Sequence, residues 1–250
     1  MNDGITYDLL RVRTGDSAET TVYLVRHPRA STRVRVLHFR EPHRLDLWCV
    51  ANRRPEAIVA GFFVRDPYRP LGEVQIGGRP VEHEPISAPW AAKRGCLQVD
   101  VDGGLRVAPR GELPDDPGGD LVQAGPLLVS GGQSLIDGED REGFSAGASQ
   151  FDSDITVGRY PRCALGLNGD ELLAVCCDGR RSGVDGGLEL AELARLMITF
   201  GAHEAINLDG GGSATLVHRK HLLNRPYTHQ DQPAPVSRPV VTALLFERDG

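Results

Sequence analysis

Asn168-Gly169 is the dipeptide that most restricts how this chain can fold. It stands between Arg162-Cys-Ala-Leu-Gly-Leu167 and Leu172-Leu-Ala-Val-Cys-Cys-Asp178, with Asp170 and Glu171 completing the bend. Asn-Gly supplies the turn whose twist matches two antiparallel strands. Both arms are apolar on both faces, as strands covered from two sides are. Pairing Leu167 with Leu172 sets Arg162 across from Cys177, with Asp178 one residue beyond. The open end of this hairpin therefore holds an arginine and an aspartate, as a structural ion pair or as part of a site.

A second stretch, Asn207-Leu-Asp-Gly-Gly-Gly-Ser-Ala-Thr-Leu-Val217, reads as strand, three-glycine loop and strand. Strand side chains alternate, so Asn207 and Asp209 share a face. Gly210, Gly211 and Gly212 clear the bend of side chains, and their amides are able to curl into an anion nest. Ser213 adds a hydroxyl. The plain alternative is a hairpin with Asp209 solvated at its tip.

Of 250 residues, 40% are hydrophobic and 25% charged, so a packed core is available and disorder of the whole is not expected. The 30 glycines and 17 prolines favour many turns, hence many strands. A net charge of −6 with no dense basic stripe argues against nucleic acid as partner. Lysine occurs only at Lys93 and Lys220, and arginine carries the rest of the positive charge, through nucleotide bias or because some arginines clamp phosphate. Five cysteines, Cys49, Cys96, Cys163, Cys176 and Cys177, include no Cys-x-x-Cys. They read as small buried hydrophobes in a reducing cytoplasm, not as a disulfide frame or zinc site. No signal-like N-terminus and no membrane-length apolar run is visible, so the expectation is a cytoplasmic protein with no membrane partner.

Along the chain, Thr21–Val25 and Val34–Phe39 have strand period, and Arg44–Asn52 suits a short helix. Ala57–Phe63 reads as a buried strand running into a glycine. Pro70–Gly78 and Leu97–Gly104 read as strands ended by glycines, joined by a long connection over 79–95. Asp100 and Asp102 share a face, with no third ligand at useful spacing; no metal is expected. Residues 108–120 and 137–156 read as loops, the latter as a binding loop or an excursion. Leu188–Phe200 is a helix, with Leu190, Leu193, Ala194 and Met197 at i, i+3, i+4, i+7 and Gly201 as its stop. Val240–Phe246 is a last strand. With no repeat and no linker, one domain is expected over 1–250. The fold class expected is α+β: a mixed, largely antiparallel sheet core with flanking helices.

Several segments come in the order of a known family. Ala57–Phe63, Ala124–Val129, Pro161–Gly166, Cys177–Arg180, the Leu190–Met197 helix and Asn207–Thr215 together resemble the phosphodiester glycosidase family, over roughly 35–246. Asn224 and Arg238 also stand where that family carries Asn and Arg. The resemblance departs at Val59 and Ala60, where the family reads Asn and Gly, at Cys163 in place of Thr, and at Ala214 in place of Ser or Thr. The signal peptide and disulfides of secreted relatives are absent, so a bacterial, cytoplasmic setting is expected and a lysosomal role does not carry over.

The resemblance implies hydrolysis between a sugar anomeric carbon and a phosphodiester, with no cofactor and a small sugar phosphodiester as partner. A phosphodiester leaves readily, so charge stabilisation matters more than strong acid help. Catalytic candidates are Asp209, Asp178 and Asn207. Phosphate- and substrate-binding candidates are Arg162, Gly210, Gly211, Gly212, Ser213, Thr215, Arg238 and Asn224. Two other readings stay open: a metal-dependent phosphodiesterase using Asp178 and Asp209, and a sugar-phosphate binding module without turnover. The sugar, the phosphate substituent, the stereochemical course and the oligomeric state are not encoded in these features.

Overall fold

The computed structural model describes residues 4–15, 18–145, 157–226 and 236–248. The Asn168-Gly169 hairpin forms in the expected register, with Leu167 opposite Leu172 and Cys163 opposite Cys176, but neither Asn168 nor Gly169 is left-handed. The Asn168 Oδ1 shapes the bend instead, accepting from the Asp170 amide at 2.8 Å and the Glu171 amide at 2.7 Å. Its arms lie inside a seven-stranded sheet ordered β1 (Thr6–Arg13), β2 (Glu19–Pro28), β15 (Glu171–Cys177), β14 (Cys163–Leu167), β16 (Glu204–Asn207), β12 (Leu127–Ser130), β13 (Gln133–Ser134). A five-stranded sheet runs β10 (Leu105–Pro109), β9 (Gly95–Val99), β11 (Asp120–Gln123), β7 (Val74–Ile76), β8 (Arg79–Pro80). A second five-stranded sheet runs β18 (His221–Leu222), β17 (Leu216–His218), β4 (Ala57–Val59), β19 (Val240–Arg248), β3 (Thr32–His43). β5 (Phe63–Arg65) and β6 (Tyr68–Pro70) pair separately. All the strand pairs described are antiparallel.

The period-2 rule sorts the seven-stranded sheet into two apolar faces. Tyr23, Val25, Cys163, Leu165, Ala174, Cys176, Ile206 and Leu208 enter the main core, with Ile58 and Val59 of β4, Leu244 of β19 and Leu97 of β9. Val22, Leu24, Ala164, Val175, Cys177 and Ala205 enter a smaller core closed by Leu190, Leu193, Ala194 and Met197. Those four belong to α3 (Leu190–Thr199). The helix begins two residues later than its apolar pattern, because Glu189 is its extended N-cap, in a capping box with Glu192. Gly166 sits under it, where a Cβ would stand 2.5 Å from the Met197 Cε and 3.0 Å from the Ala202 Cβ.

The expected α+β class is corrected by these elements. Among the described residues strand accounts for 45% and helix for 13%, so this is a β-rich sandwich. α1 (Leu45–Ala51) and α2 (Trp90–Lys93) are too short to cover a sheet face. Among the described residues only α3 covers one; elsewhere the sheets bury their faces against each other. Among the described residues no helix is long and apolar enough to cross a membrane. Of the 137–156 stretch, 146–156 lie outside the described residues.

Candidate active site

The glycine motif is not a hairpin. Its entering strand, β16, belongs to the seven-stranded sheet, and its exit, β17, to the sheet of β4 and β19. Asp209 and a short 3-10 turn at Gly211–Ser213 make the crossing between them. The Asp209 amide donates to Ala60 O at 2.8 Å and the Val59 amide to Thr215 O at 3.0 Å, so β4 anchors both sides of the bend. Gly210 has to be glycine because Pro161 O lies 2.7 Å from where its Cβ would stand.

The amides of the loop are mostly engaged. Gly210 N donates to the Asp209 Oδ1, Gly211 N to Pro161 O, Ser213 N to Gly210 O and Ala214 N to Gly211 O. Gly212 alone among the three glycines retains an amide with no partner among the described residues. The anion array expected from three consecutive glycines is thus reduced to one donor. The glycines instead make room for arginines. The Arg180 Nη2 lies 3.0 Å from the Cβ position of Gly211, and the Arg238 Nη2 lies 2.5 Å from that of Gly212. Gly211 is at φ +56, and Arg180 itself is left-handed at φ +60, a conformation that costs a non-glycine residue energy.

Asp209 is half-buried at the centre of this group. Burial pushes its carboxyl up to about 6, against the opposing pull of the Ser213 hydroxyl, the Gly210 amide and the charges of Arg238 and Arg65. Ser213 is buried, as is Thr215, whose Oγ1 donates to Ser213 O at 3.0 Å. Asn224 holds the exit of the motif, accepting from Leu216 N at 3.0 Å and donating to Ala214 O at 2.8 Å.

Asn207 is fully buried, its Nδ2 donating to Gly125 O at 2.8 Å. Its Oδ1 is a buried acceptor with no partner among the described residues. Strand alternation puts Asn207 on the α3 side of the sheet, as it does Arg162, since Ala164 pairs with Asn207. The Arg162 Nε donates to Leu188 O at 3.1 Å and its Nη2 to Gly158 O at 3.2 Å, so this arginine ties loop backbone together beside the site. The guanidiniums of Arg162 and Arg180 both lie 5.6 Å from the Tyr160 ring centre.

Asp178 belongs to the other side of the sheet. It accepts from the Tyr23 hydroxyl at 2.8 Å and from the Arg225 amide at 2.7 Å. Burial pushes it up to about 6 against those two hydrogen bonds, and the charge of Asp185 adds to the rise. It reaches the motif through one peptide step, since Asn224, the neighbour of Arg225, pins Ala214 and Leu216. Asp209 and Asp178 therefore have separate partners. Among the described residues no group of three or more His, Cys, Asp or Glu is placed to hold a metal ion.

Sequence reasoning passed over Arg65 and Arg180 as site residues. Arg180 was in reach, two positions from Asp178 in a segment already singled out. Arg65 carries no local signal, being far from the motif in sequence and brought to Asp209 by the fold.

A cavity of 960 Å³ borders this region, walled by Pro126, Leu127, Ile136, Phe144, Leu190 and Ala191. Asp137, Glu139, Asp140 and Glu189 also line it. Two of its lining residues bond the site directly: Pro126 O accepts from the Asn207 amide, and Gly158 O from Arg162.

A sequence model described as phosphodiester glycosidase matches residues 53–247. No curated protein matches the chain in sequence. Among solved structures, the zebrafish N-acetylglucosamine-1-phosphodiester alpha-N-acetylglucosaminidase catalytic domain, auto-inhibited by pro-peptide, superposes with a TM-score of 0.73 at 18% identity, over 98% of this chain and 83% of that one. A hypothetical protein from Synechocystis superposes with a TM-score of 0.72, also at 18% identity, over 97% of this chain. This chain spans 62% of the length of that protein. At such identities the likeness is one of fold.

Proposed function

The chain belongs to the phosphodiester glycosidase family, and from that premise we propose that it hydrolyses the bond between a sugar anomeric carbon and the oxygen of a phosphodiester. The observation that carries this reading is Asp209, a half-buried carboxylate held between Ser213, the glycine loop and the arginines at 65 and 238, with Arg180 packed against Gly211 of the same loop. In its ionised form Asp209 acts at the anomeric carbon, as nucleophile or as base to water. The carbon–oxygen bond breaks with its electron pair on the phosphodiester, whose charge Arg238, Arg180 and Arg65 stabilise with the Gly212 amide. Asn207 offers its buried carbonyl oxygen to a sugar hydroxyl or amide.

Asp178 takes a positioning role, because both its oxygens are occupied and it is 1% exposed. Thr215 and Asn224 hold the motif's backbone, and Arg162 its neighbouring loops. The cavity receives the group esterified to the phosphate. Its walls suit an apolar substituent, and its carboxylates disfavour the phosphate itself.

A panel of sugar-1-phosphodiesters followed by proton and phosphorus NMR tests the reading. Turnover of at least one member is expected, with Asp209→Asn lowering kcat about 100-fold or more while the variant stays folded. Full turnover by Asp209→Asn would sink the assignment. A second reading, binding without turnover, is favoured by Val59: where the family reads Asn, this chain has a fully buried aliphatic side chain that offers no hydrogen bond. Saturable binding across the panel with no product would select it.

A further inference from the structure

Cys163 and Cys176 stand directly opposite each other between β14 and β15. The neighbouring pair carries the hydrogen bond, with Cys177 N donating to Arg162 O at 2.9 Å. Alternation then makes Cys163 and Cys176 a non-hydrogen-bonded pair, the kind whose Cα atoms approach to about 4.5 Å, within the span a disulfide bridges. Their sulfurs are 3.3 Å apart. Both side chains are fully buried and share the main-core face of the sheet. Cys177, adjacent in sequence, points to the α3 side and takes the Arg162 amide at 3.3 Å instead. Cys49 and Cys96 lie in α1 and β9. Of the five cysteines, this pair is the one the fold sets face to face.

We propose that Cys163 and Cys176 are a modification site, joined by a disulfide when the chain folds in the presence of a small-molecule disulfide of the glutathione type. One thiol, as thiolate, attacks the small disulfide and releases one small thiol. The second thiol then attacks that mixed disulfide and releases the other. The protein pair loses two hydrogens, and the small disulfide is reduced to two thiols. Closure needs the sulfurs to move from 3.3 Å to about 2.05 Å, within reach of small side-chain rotations. Burial holds the Cys176 thiol well above its usual range, so the folded pair reacts slowly and folding is the productive moment. The bond would clamp the strand that follows Arg162 and whose Cys163 carbonyl accepts from the Leu208 amide, beside Asp209. The expectation of uniformly inert thiols in a reducing setting would then hold for the other three only.

The test is to refold the full chain in urea-dilution buffer containing oxidised and reduced glutathione, alkylate under denaturing conditions, and map the peptides. The result expected is an intact mass about 2 Da lower before alkylation, then one cross-linked peptide joining Cys163 to Cys176, three alkylated cysteines, and reversal by dithiothreitol. Cys177→Ser should still cross-link and Cys163→Ser should not. Alkylation of all five thiols in the refolded wild-type chain, or a cross-link joining another pair, overturns the proposal. The wild-type peptide map decides it even if a variant fails to fold.

Discussion

At the scale of single residues, Asp209 carries the most testable chemistry. A carboxyl raised to about 6 that acts in its ionised form makes kcat/KM rise with pH, half-complete near 6 and level above about 7. A rate that instead falls through that range would make Asp209 a proton donor. Gly212 gives a second residue-scale test. An alanine there meets the Arg238 Nη2 at 2.5 Å, so Gly212→Ala should displace the guanidinium and raise KM. Loss of one charge-assisted contact is worth roughly 1.5–3 kcal/mol, or about 10–100-fold. Gly169→Ala, where a Cβ meets nothing within 4 Å, should leave KM unchanged. Steady-state kinetics on both variants separates guanidinium packing from general intolerance of glycine replacement. The sequence marks Gly210, Gly211 and Gly212 as special. It does not reveal why, since an amide nest and a floor for arginines call for the same residues.

At the scale of elements, local signals are legible in the sequence and partnerships are not. The register of the hairpin around Asn168-Gly169 is legible to the residue, because its two arms lie within a few positions of each other. The α3 stripe is legible for the same reason. The destination of β17 is not legible: nothing within Asn207–Val217 distinguishes a return to the same sheet from a crossing to another. That choice is made by β4, whose Ala57 and Ile58 pair with β17 from about 160 positions upstream. The partners of Asp178 are not legible for a similar reason, since β15 ends one residue before it and alternation turns its side chain toward Tyr23. The cavity between α3 and the 135–145 loop yields an element-scale prediction. Ala191→Trp, in the first turn of α3, should raise KM roughly tenfold for a substrate with a bulky apolar group on the phosphate, and not for a methyl ester. An equal effect on both would detach the cavity from the substrate.

For the whole molecule, the apolar content and the many turns point to a strand-rich core, while the helices expected over Arg44–Asn52 and Leu188–Phe200 favour α+β. Counting helices from sequence says nothing about which sheet faces they cover, and here sheets cover most of them. The same burial ties global stability to pH. Asp178 and Glu142 are both pushed to about 6 by burial, above the value near 4 of an unfolded carboxyl. The folded chain therefore holds protons that the unfolded chain releases between about pH 4 and 6. The contribution of these groups is largest below about 4 and declines as pH rises to about 6. Asp178→Asn keeps an acceptor for the Arg225 amide and a donor for the Tyr23 oxygen. It should fold, and gain stability relative to the wild type as pH rises through that window, as urea unfolding at pH 4.5 and pH 7 would measure. Constant relative stability would mean that Asp178 does not hold its proton as described.

The central claim concerns which bond breaks, and isotope placement reads that directly. Hydrolysis of a sugar-1-phosphodiester in oxygen-18 water should place the label on the sugar's anomeric hydroxyl and leave the released phosphate ester unlabelled, with both signals lost in Asp209→Asn. Label in the phosphate ester would contradict the account, because water would then have attacked phosphorus and the chain would be a phosphodiesterase.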